Sequence, residues 1–300
     1  MKIVSFRIGS EHRVGISLEA GIFDYSGAHQ LYEREVTGRQ WRMVRDIETL
    51  IRLARFDRES FDKIIEWVTL EGRFDEFIAY DAVLEAPLRQ PGKIIALARN
   101  YAAHARETGA EPPGEPVFFA KSASTIIGPD ASIEIPEGIG RVDPEVELAV
   151  VIGERVRNCP REDALKMVAG YTIINDVTAR SMQKAAIERG LPWYLAKNLE
   201  TFCPMGPCVI LSEAVANPHD MDIELSVNGE VRQKDNTRNM LFDIPAIIER
   251  LSGRIRLEPG DIIATGTPAG IAPIAPGDLI ACRISGIGEL RNPVAAAQPA

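Results

Sequence analysis

Glu145 and Glu147 stand two residues apart at the head of the apolar run VELAVVIG. Residues i and i+2 of a strand project from one face, so this spacing predicts two carboxylates side by side. Like charges beside a buried strand repel each other and lose solvation. A divalent cation relieves both costs, and hard ions such as Mg²⁺ or Mn²⁺ prefer oxygen ligands. A solvated pair on an edge strand is the plainer alternative. Asp176 ends the run YTIIN and precedes a helical pattern. It could join the pair from a strand end, or act as an N-cap, a role Asp favours.

The segment after Asp176 carries Arg180 and Gln183 at i, i+3, one helix face from which both could reach a bound substrate. A solvated helix face has the same spacing. His104 and Glu107 in NYAAHARE are also i, i+3, which lets the carboxylate orient the imidazole as a general base. Lys121 in FFAKSAS and Lys197 in YLAKNLE each follow apolar residues, where an ammonium could stabilise an oxyanion or simply extend to solvent. The segment TGTPAG, Thr265 to Gly270, lacks the Gly-Lys-Ser/Thr ending of a nucleotide-binding loop. Its amides and the Thr265 and Thr267 hydroxyls could hold a carboxylate, and a glycine turn between strands is the simpler reading.

These groups need elements to position them. Residues 1–88 read as a small α+β unit, with strands at Lys2 to Ile8 and Val14 to Leu18 and helices at Arg45 to Arg55 and Arg58 to Val68. In the first helix Ile47, Leu50, Ile51 and Ala54 recur at i, i+3, i+4, i+7. Leu88-Arg-Gln-Pro-Gly92 punctuates the chain, and residues 89–300 are richer in strands. Strands are expected at Ile94 to Leu97, Glu145 to Ile152 and Tyr171 to Asn175, with an extended stretch from Val117 to Ile127. Helices are expected around Tyr101 to Thr108, Arg161 to Val168 and Val177 to Arg189. Beyond residue 205, runs such as CVILS, IELSVNG and DLIACRIS alternate with Asn228-Gly229 and two Pro-Gly-Asp turns. The expected class is α+β and β-rich, a mixed-sheet roll or barrel with a small N-terminal α+β domain.

Composition narrows the functions open to such a fold. Of 300 residues, 34 are Lys or Arg and 43 are Asp or Glu, a net charge of −9 that disfavours a broad phosphate-binding surface and therefore nucleic acid. Apolar runs stop after about eight residues, well short of the ~20 needed to span a bilayer, so no membrane association is expected. The opening MKIVSFRIGSEHRV has polar residues where a signal peptide carries its apolar segment, which points to a cytoplasmic location. Four cysteines form no Cys-x-x-Cys pair and read as packed free thiols.

Taken in order, RNYAAHARE, FFAKSAST, DPEVELAVVIG, GYTIINDVTARSMQ, KNLETFCPMGP, NGEVRQ and GDIIATGTPAGI resemble the fumarylacetoacetate hydrolase superfamily over about residues 92 to 294. The resemblance implies that Glu145, Glu147 and Asp176 hold Mg²⁺ or Mn²⁺. It also implies that His104 with Glu107 activates water, that Lys197 stands beside the metal, and that Arg180 and Gln183 contact a 2-oxo acid. Thr267 would bind a carboxylate, and Lys121 matches a lysine that usually precedes proline, here Ser122. Leu97 replaces the acidic ligand found seven residues before the histidine in animal-type fumarylacetoacetases, which argues against that activity. Ala98 replaces a common glycine, and Glu200 replaces an aspartate.

The implied reaction is hydrolysis of a C–C bond in an acylpyruvate-type 2,4-dioxo acid, giving pyruvate and a carboxylic acid. In it His104 takes a proton from water while Lys197 and Gln183 stabilise the oxyanion. Oxaloacetate decarboxylation and 2-hydroxyhepta-2,4-diene-1,7-dioate isomerisation could use the same site, and a non-catalytic 2-oxo-acid binding protein is the alternative of another class. The resemblance also implies a homodimer. Gly190-Leu-Pro-Trp-Tyr194, within Ala185 to Leu195, could close over the site as a lid or be a fixed connection.

Overall fold

The computed structural model describes residues 1–40 and 42–297. Strands β1 (Lys2–Ile8), β2 (Glu11–Leu18) and β3 (Gly21–Phe23) open the chain. Helices α1 (Tyr25–Glu35), α2 (Ile47–Arg52) and α3 (Arg58–Leu70) follow, then strands β4 (Ile78–Ala79) and β5 (Val83–Glu85). The middle contains β6 (Ile94–Ala98), α4 (Ala102–Glu107), β7 (Val117–Lys121), β8 (Ile126–Ile127), β9 (Ile133–Ile135), β10 (Val142–Asp143), β11 (Val146–Ile152) and β12 (Val168–Asn175). After β13 (Thr178–Ala179) come α5 (Arg180–Glu188), α6 (Tyr194–Lys197), β14 (Cys203–Leu211), β15 (Asp222–Val227) and β16 (Glu230–Asn236). Helix α7 (Ile244–Ser252) and strands β17 (Ile262–Ala264), β18 (Leu279–Ile284) and β19 (Gly288–Ala296) complete it.

A 12-stranded mixed sheet, whose main path runs β4-β3-β2-β1-β14-β12-β11-β17-β6-β7, joins residues from both sides of position 88. The join is the antiparallel pairing of β1 with β14, Lys2 opposite Ile210. Neither this sheet nor the five-stranded sheet β16-β15-β18-β19-β9 closes into a barrel. Strand β11, VELAVVI, is buried along its whole length between β12 and β17, as expected of a continuous apolar run covered on both faces. Leu148 and Val150 enter the core shared with β15, β18 and α7. Ala149 and Val151 enter the core formed with α1, α2 and α3. The result is three layers, and Glu145 and Glu147 carry the parity of Ala149 and Val151.

Four helices start on the same device, an aspartate side chain accepting from a backbone N–H three residues on: Asp24, Asp46, Asp57 and Asp243. Helices α1 and α7 escape sequence reading. The buried face of α1 includes Ser26, His29 and Glu33, so no apolar stripe marks it. Two expected helices also differ. Arg161–Met167 is a 3₁₀ segment and Val168 already belongs to β12. Residues 177–179 are extended, because Thr178 and Ala179 pair with Asp143 and Val142, and the helix begins at Arg180. The stretch after Val117 is broken by a 3₁₀ turn at Ala123–Thr125. All four cysteines are free and buried. Among the described residues no helix is long and apolar enough to cross a membrane.

Candidate functional site

Antiparallel pairing places the start of β11 against the end of β12, with Val146 opposite Asn175 and Glu147 opposite Ile174. One bond step beyond, Asp176 N donates to Glu145 O at 2.8 Å and Glu145 N donates to Asn175 Oδ1 at 2.8 Å. Three carboxylates therefore meet at one end of two adjacent strands, although Asp176 lies 29 residues or more away in sequence. Oxygens of Glu145, Glu147 and Asp176 all lie within 4.8 Å of one another, and all three residues are buried. Asp176 is not a helix cap: the residue at the N-cap of α5 is Ala179, without a side-chain bond.

Burying three carboxylates costs several kcal/mol per ion unless partners compensate. Lys197 Nζ donates to Glu145 Oε2 at 2.7 Å and to Asp176 Oδ2. Lys121 Nζ donates to Lys197 O at 2.5 Å and stands 2.7 Å from Asp176 Oδ1, without hydrogen-bond geometry to that oxygen. Arg180 donates to Glu145 Oε1, to Asp143 Oδ2 at 2.8 Å and to Gln183 Oε1 at 2.6 Å, so the expected shared face of Arg180 and Gln183 is present. Arg141 also serves Asp143, at 2.7 Å.

The cations are thus concentrated on Glu145, Asp176 and Asp143. Glu147 has only the backbone N–H of Gly266, at 2.7 Å on Oε2, and no ion pair among the described residues. The electrostatics follow the partners. Burial pushes the Glu145 carboxyl upward, but Lys197 and Arg180 overcome it and hold it well below the usual carboxylate range. Burial and then the Asp176 charge push Glu147 well above its ordinary value. For Lys197 burial opposes the charge, and Asp176 and Glu145 outweigh it. A buried Asp176 oxygen without a hydrogen bond, a glutamate without a cation, and an all-oxygen donor set fit a hard divalent ion.

These groups open into a cleft of about 310 Å³. His104 and Thr267 line it with the carboxylates, and Phe119, Trp193 and Ile187 supply apolar wall. His104, 6% exposed, has Nδ1 3.4 Å from Glu107 Oε2, and Glu107 is held by Gly270 N at 3.0 and 3.1 Å. Lys121 is not among the lining residues. It lies behind Asp176 and Lys197. Thr267 Oγ1 accepts from Gln233 Nε2 at 2.8 Å, while Gln233 Oε1 accepts from Val146 N at 3.0 Å. Gln233, fully buried on β16, therefore ties the Thr265 to Gly270 turn to the head of β11. It was unmarked as a site residue in the sequence, as were Asn175 and Gly266, because each acts through hydrogen bonds to residues distant in sequence. The segment Ala185 to Leu195 forms wall: Trp193 packs edge-on to Phe119 at 6.4 Å, and Tyr194 Oη bonds Ser122 Oγ.

A family model described as the C-terminal region of fumarylacetoacetate (FAA) hydrolase matches residues 93–295. The chain belongs to the fumarylacetoacetate hydrolase family. Maleylpyruvate hydrolase from Sphingobium sp. SYK-6, solved with manganese(II) and pyruvate, is 34% identical with a TM-score of 0.77, over 99% of this chain and 100% of that one. 2-Hydroxyhepta-2,4-diene-1,7-dioate isomerase from Mycobacterium marinum is 29% identical with a TM-score of 0.71, over the full length of both chains. The mitochondrial oxaloacetate tautomerase of Xenopus laevis is 40% identical over 218 residues, 70% of this chain and 68% of that protein. Family members of this fold thus include a hydrolase, an isomerase and a tautomerase.

Proposed function

We propose that residues 89–300 form a Mg²⁺- or Mn²⁺-dependent hydrolase that splits an acylpyruvate-type 2,4-dioxo acid into pyruvate and a carboxylic acid, with residues 1–88 as a small leading domain. The observation that carries this reading is His104 lining the same cleft as the three carboxylates, with Glu107 3.4 Å from its Nδ1. An ion held by Glu145, Glu147 and Asp176 would polarise the 2-oxo and carboxylate oxygens and favour the substrate's enol form. Glu107, fixed by Gly270 N, orients Nδ1 of His104 and leaves Nε2 free to accept a proton from water. The hydroxide attacks the 4-oxo carbon, the C3–C4 bond breaks, and C3 takes a proton, so water is consumed and pyruvate and one carboxylic acid appear in equal amounts. Lys197 and Gln183 face the developing oxyanion, Arg180 positions Gln183, and Thr267 receives a carboxylate. Lys121 positions Asp176 and Lys197 from behind.

The test is pyruvate release from acetylpyruvate and fumarylpyruvate by chelator-stripped protein with Mn²⁺ restored, in isotopically labelled water. Equal pyruvate and labelled acid are expected, and His104→Ala should lower that rate about 10²- to 10⁴-fold. A metal-loaded protein that releases no pyruvate from either substrate overturns the hydrolase. Identity of 40% to an oxaloacetate tautomerase favours one second reading, keto–enol exchange of oxaloacetate. That activity would proceed without label uptake into an acid product, and His104→Ala would affect it no more than loss of any proton carrier.

A further inference from the structure

The guanidinium and ammonium groups that line the cleft belong to Arg99, Arg180 and Lys197, and two of them are committed: Arg180 and Lys197 are bonded to buried carboxylates. Arg99 differs. It is half-buried and makes no hydrogen bond or ion pair among the described residues. Its backbone sits at φ 59°, the left-handed region that favours glycine and is strained for a long side chain. Arg99 shares the cleft wall with Leu97, Ala98 and Phe119, and no partner among the described residues accounts for its strained backbone and unpaired guanidinium.

Its place relative to the carboxylates follows from the sheet. Ala149 pairs with Ala264, and Ala264 with Ala96. Continuing these registers by two residues sets Glu147 beside Gly266 and Gly266 beside Ala98. The packing agrees, since a Cβ on Gly266 would lie 3.3 Å from Leu97 O and 3.4 Å from Asn100 N. Arg99 therefore stands about two strand spacings, roughly 10 Å, from the Glu147 backbone. That span fits a 2-oxo acid with its 1-carboxylate and 2-oxo group at the acidic cluster and a second anionic group several carbons along its chain.

We infer that Arg99 reads a distal carboxylate, so that the preferred substrates are 2-oxo or 2,4-dioxo dicarboxylates rather than acids with a neutral end. This rests on the 2-oxo-acid reading above. A free guanidinium can bind a carboxylate through two parallel N–H bonds, which a neutral terminus cannot accept.

The experiment is calorimetric titration of Mn²⁺-loaded protein with 2-oxoglutarate against 2-oxopentanoate, and 2-oxoadipate against 2-oxohexanoate, pairs that differ in the second carboxylate. At least one diacid should bind roughly 10- to 100-fold tighter than its partner, the range of a charge-assisted bond. Arg99→Gln should bring that ratio close to one while leaving Mn²⁺ affinity intact as a check of the fold, and Arg99→Lys should keep part of it. Equal binding of each pair by the unaltered protein, or a ratio that survives Arg99→Gln, overturns the inference alone. Failure of every 2-oxo acid to bind overturns the parent reading as well.

Discussion

Glu48 and Glu147 are both buried glutamates, 4% and 1% exposed, and their surroundings put them to opposite uses. Glu48, in α2, accepts from Arg89 N at 2.8 Å and Gln90 N at 3.0 Å, pinning the helix to the connection between the N-terminal unit and β6. Glu147 shares its end of the sheet with Glu145 and Asp176 and receives one N–H. A buried carboxylate held at one oxygen by two backbone donors, its Oε2 left without a hydrogen bond, acts as a staple. Clustered carboxylates raise one another's cost, and the member left without a cation is where an added ion relieves most.

Glutamine substitution separates the two uses. Glu147→Gln should abolish Mn²⁺ binding and lower metal-dependent turnover by on the order of 10³-fold, since a ligand and its charge are both lost. Glu48→Gln should leave Mn²⁺ affinity unchanged and lower stability by about 1–3 kcal/mol, through donors that lose a charged acceptor. Calorimetric Mn²⁺ titration and denaturant unfolding read the two effects. Full activity in Glu147→Gln would remove the metal role.

The pattern of what the sequence disclosed is physical. Glu145 and Glu147 are legible because strand periodicity is strict, and β11 lies where VELAVVI predicts it. His104 with Glu107 and Arg180 with Gln183 are legible because helix spacing is local. That Asp176 meets them depends on the register of β11 against β12, which no local pattern encodes. The supports are less visible still. Gln233 and Gly266 belong to separate segments and touch the acidic cluster only through tertiary hydrogen bonds. Helix α1 was hidden for a related reason, since its buried face is built partly from ionisable side chains that satisfy one another. The resemblance in motif order reached further than spacing because it carries register implicitly.

Two glycines offer a finer version of the same contrast. Gly266 has φ +92° and lies beside Glu147, and a Cβ there would come within 2.8 Å of Asn100 Cβ. Gly260 has φ +86° and lies beside Glu48, where a Cβ would meet Glu48 Cγ at a comfortable 3.7 Å. Alanine strains the backbone at both, by about 1–3 kcal/mol. Only at Gly266 must the backbone also move, shifting the N–H that orients Glu147. Gly266→Ala is expected to weaken Mn²⁺ binding roughly 10-fold, the size of losing an orienting partner behind a metal ligand. Gly260→Ala should lose stability alone. Equal Mn²⁺ affinity in both variants would show that Glu147 needs no help from this amide.

The smallest effect concerns another buried acid of the N-terminal unit, Glu33. Glu33 lies under Arg55 at 3.2 Å and Thr37 Oγ1 at 2.8 Å, with His29 Nε2 at 3.6 Å. Burial lowers the His29 imidazole below 6.5; Glu33 opposes that shift and Arg55 adds to it. As pH falls through about 6.5 the unfolded chain takes up this proton while the folded chain resists. Stability is therefore full above 6.5 and declines below it, until the lower folded value is passed. His219, also lowered by burial and accepting from Ile244 N at 3.1 Å, acts in the same direction from the other side of the molecule. His29→Gln should reduce, without abolishing, the fall in unfolding midpoint between neutral and mildly acidic pH, and His29→Gln with His219→Gln should reduce it further. An unchanged slope in the double variant would mean that the acid sensitivity arises from groups other than these two imidazoles, the carboxylate cluster first among them.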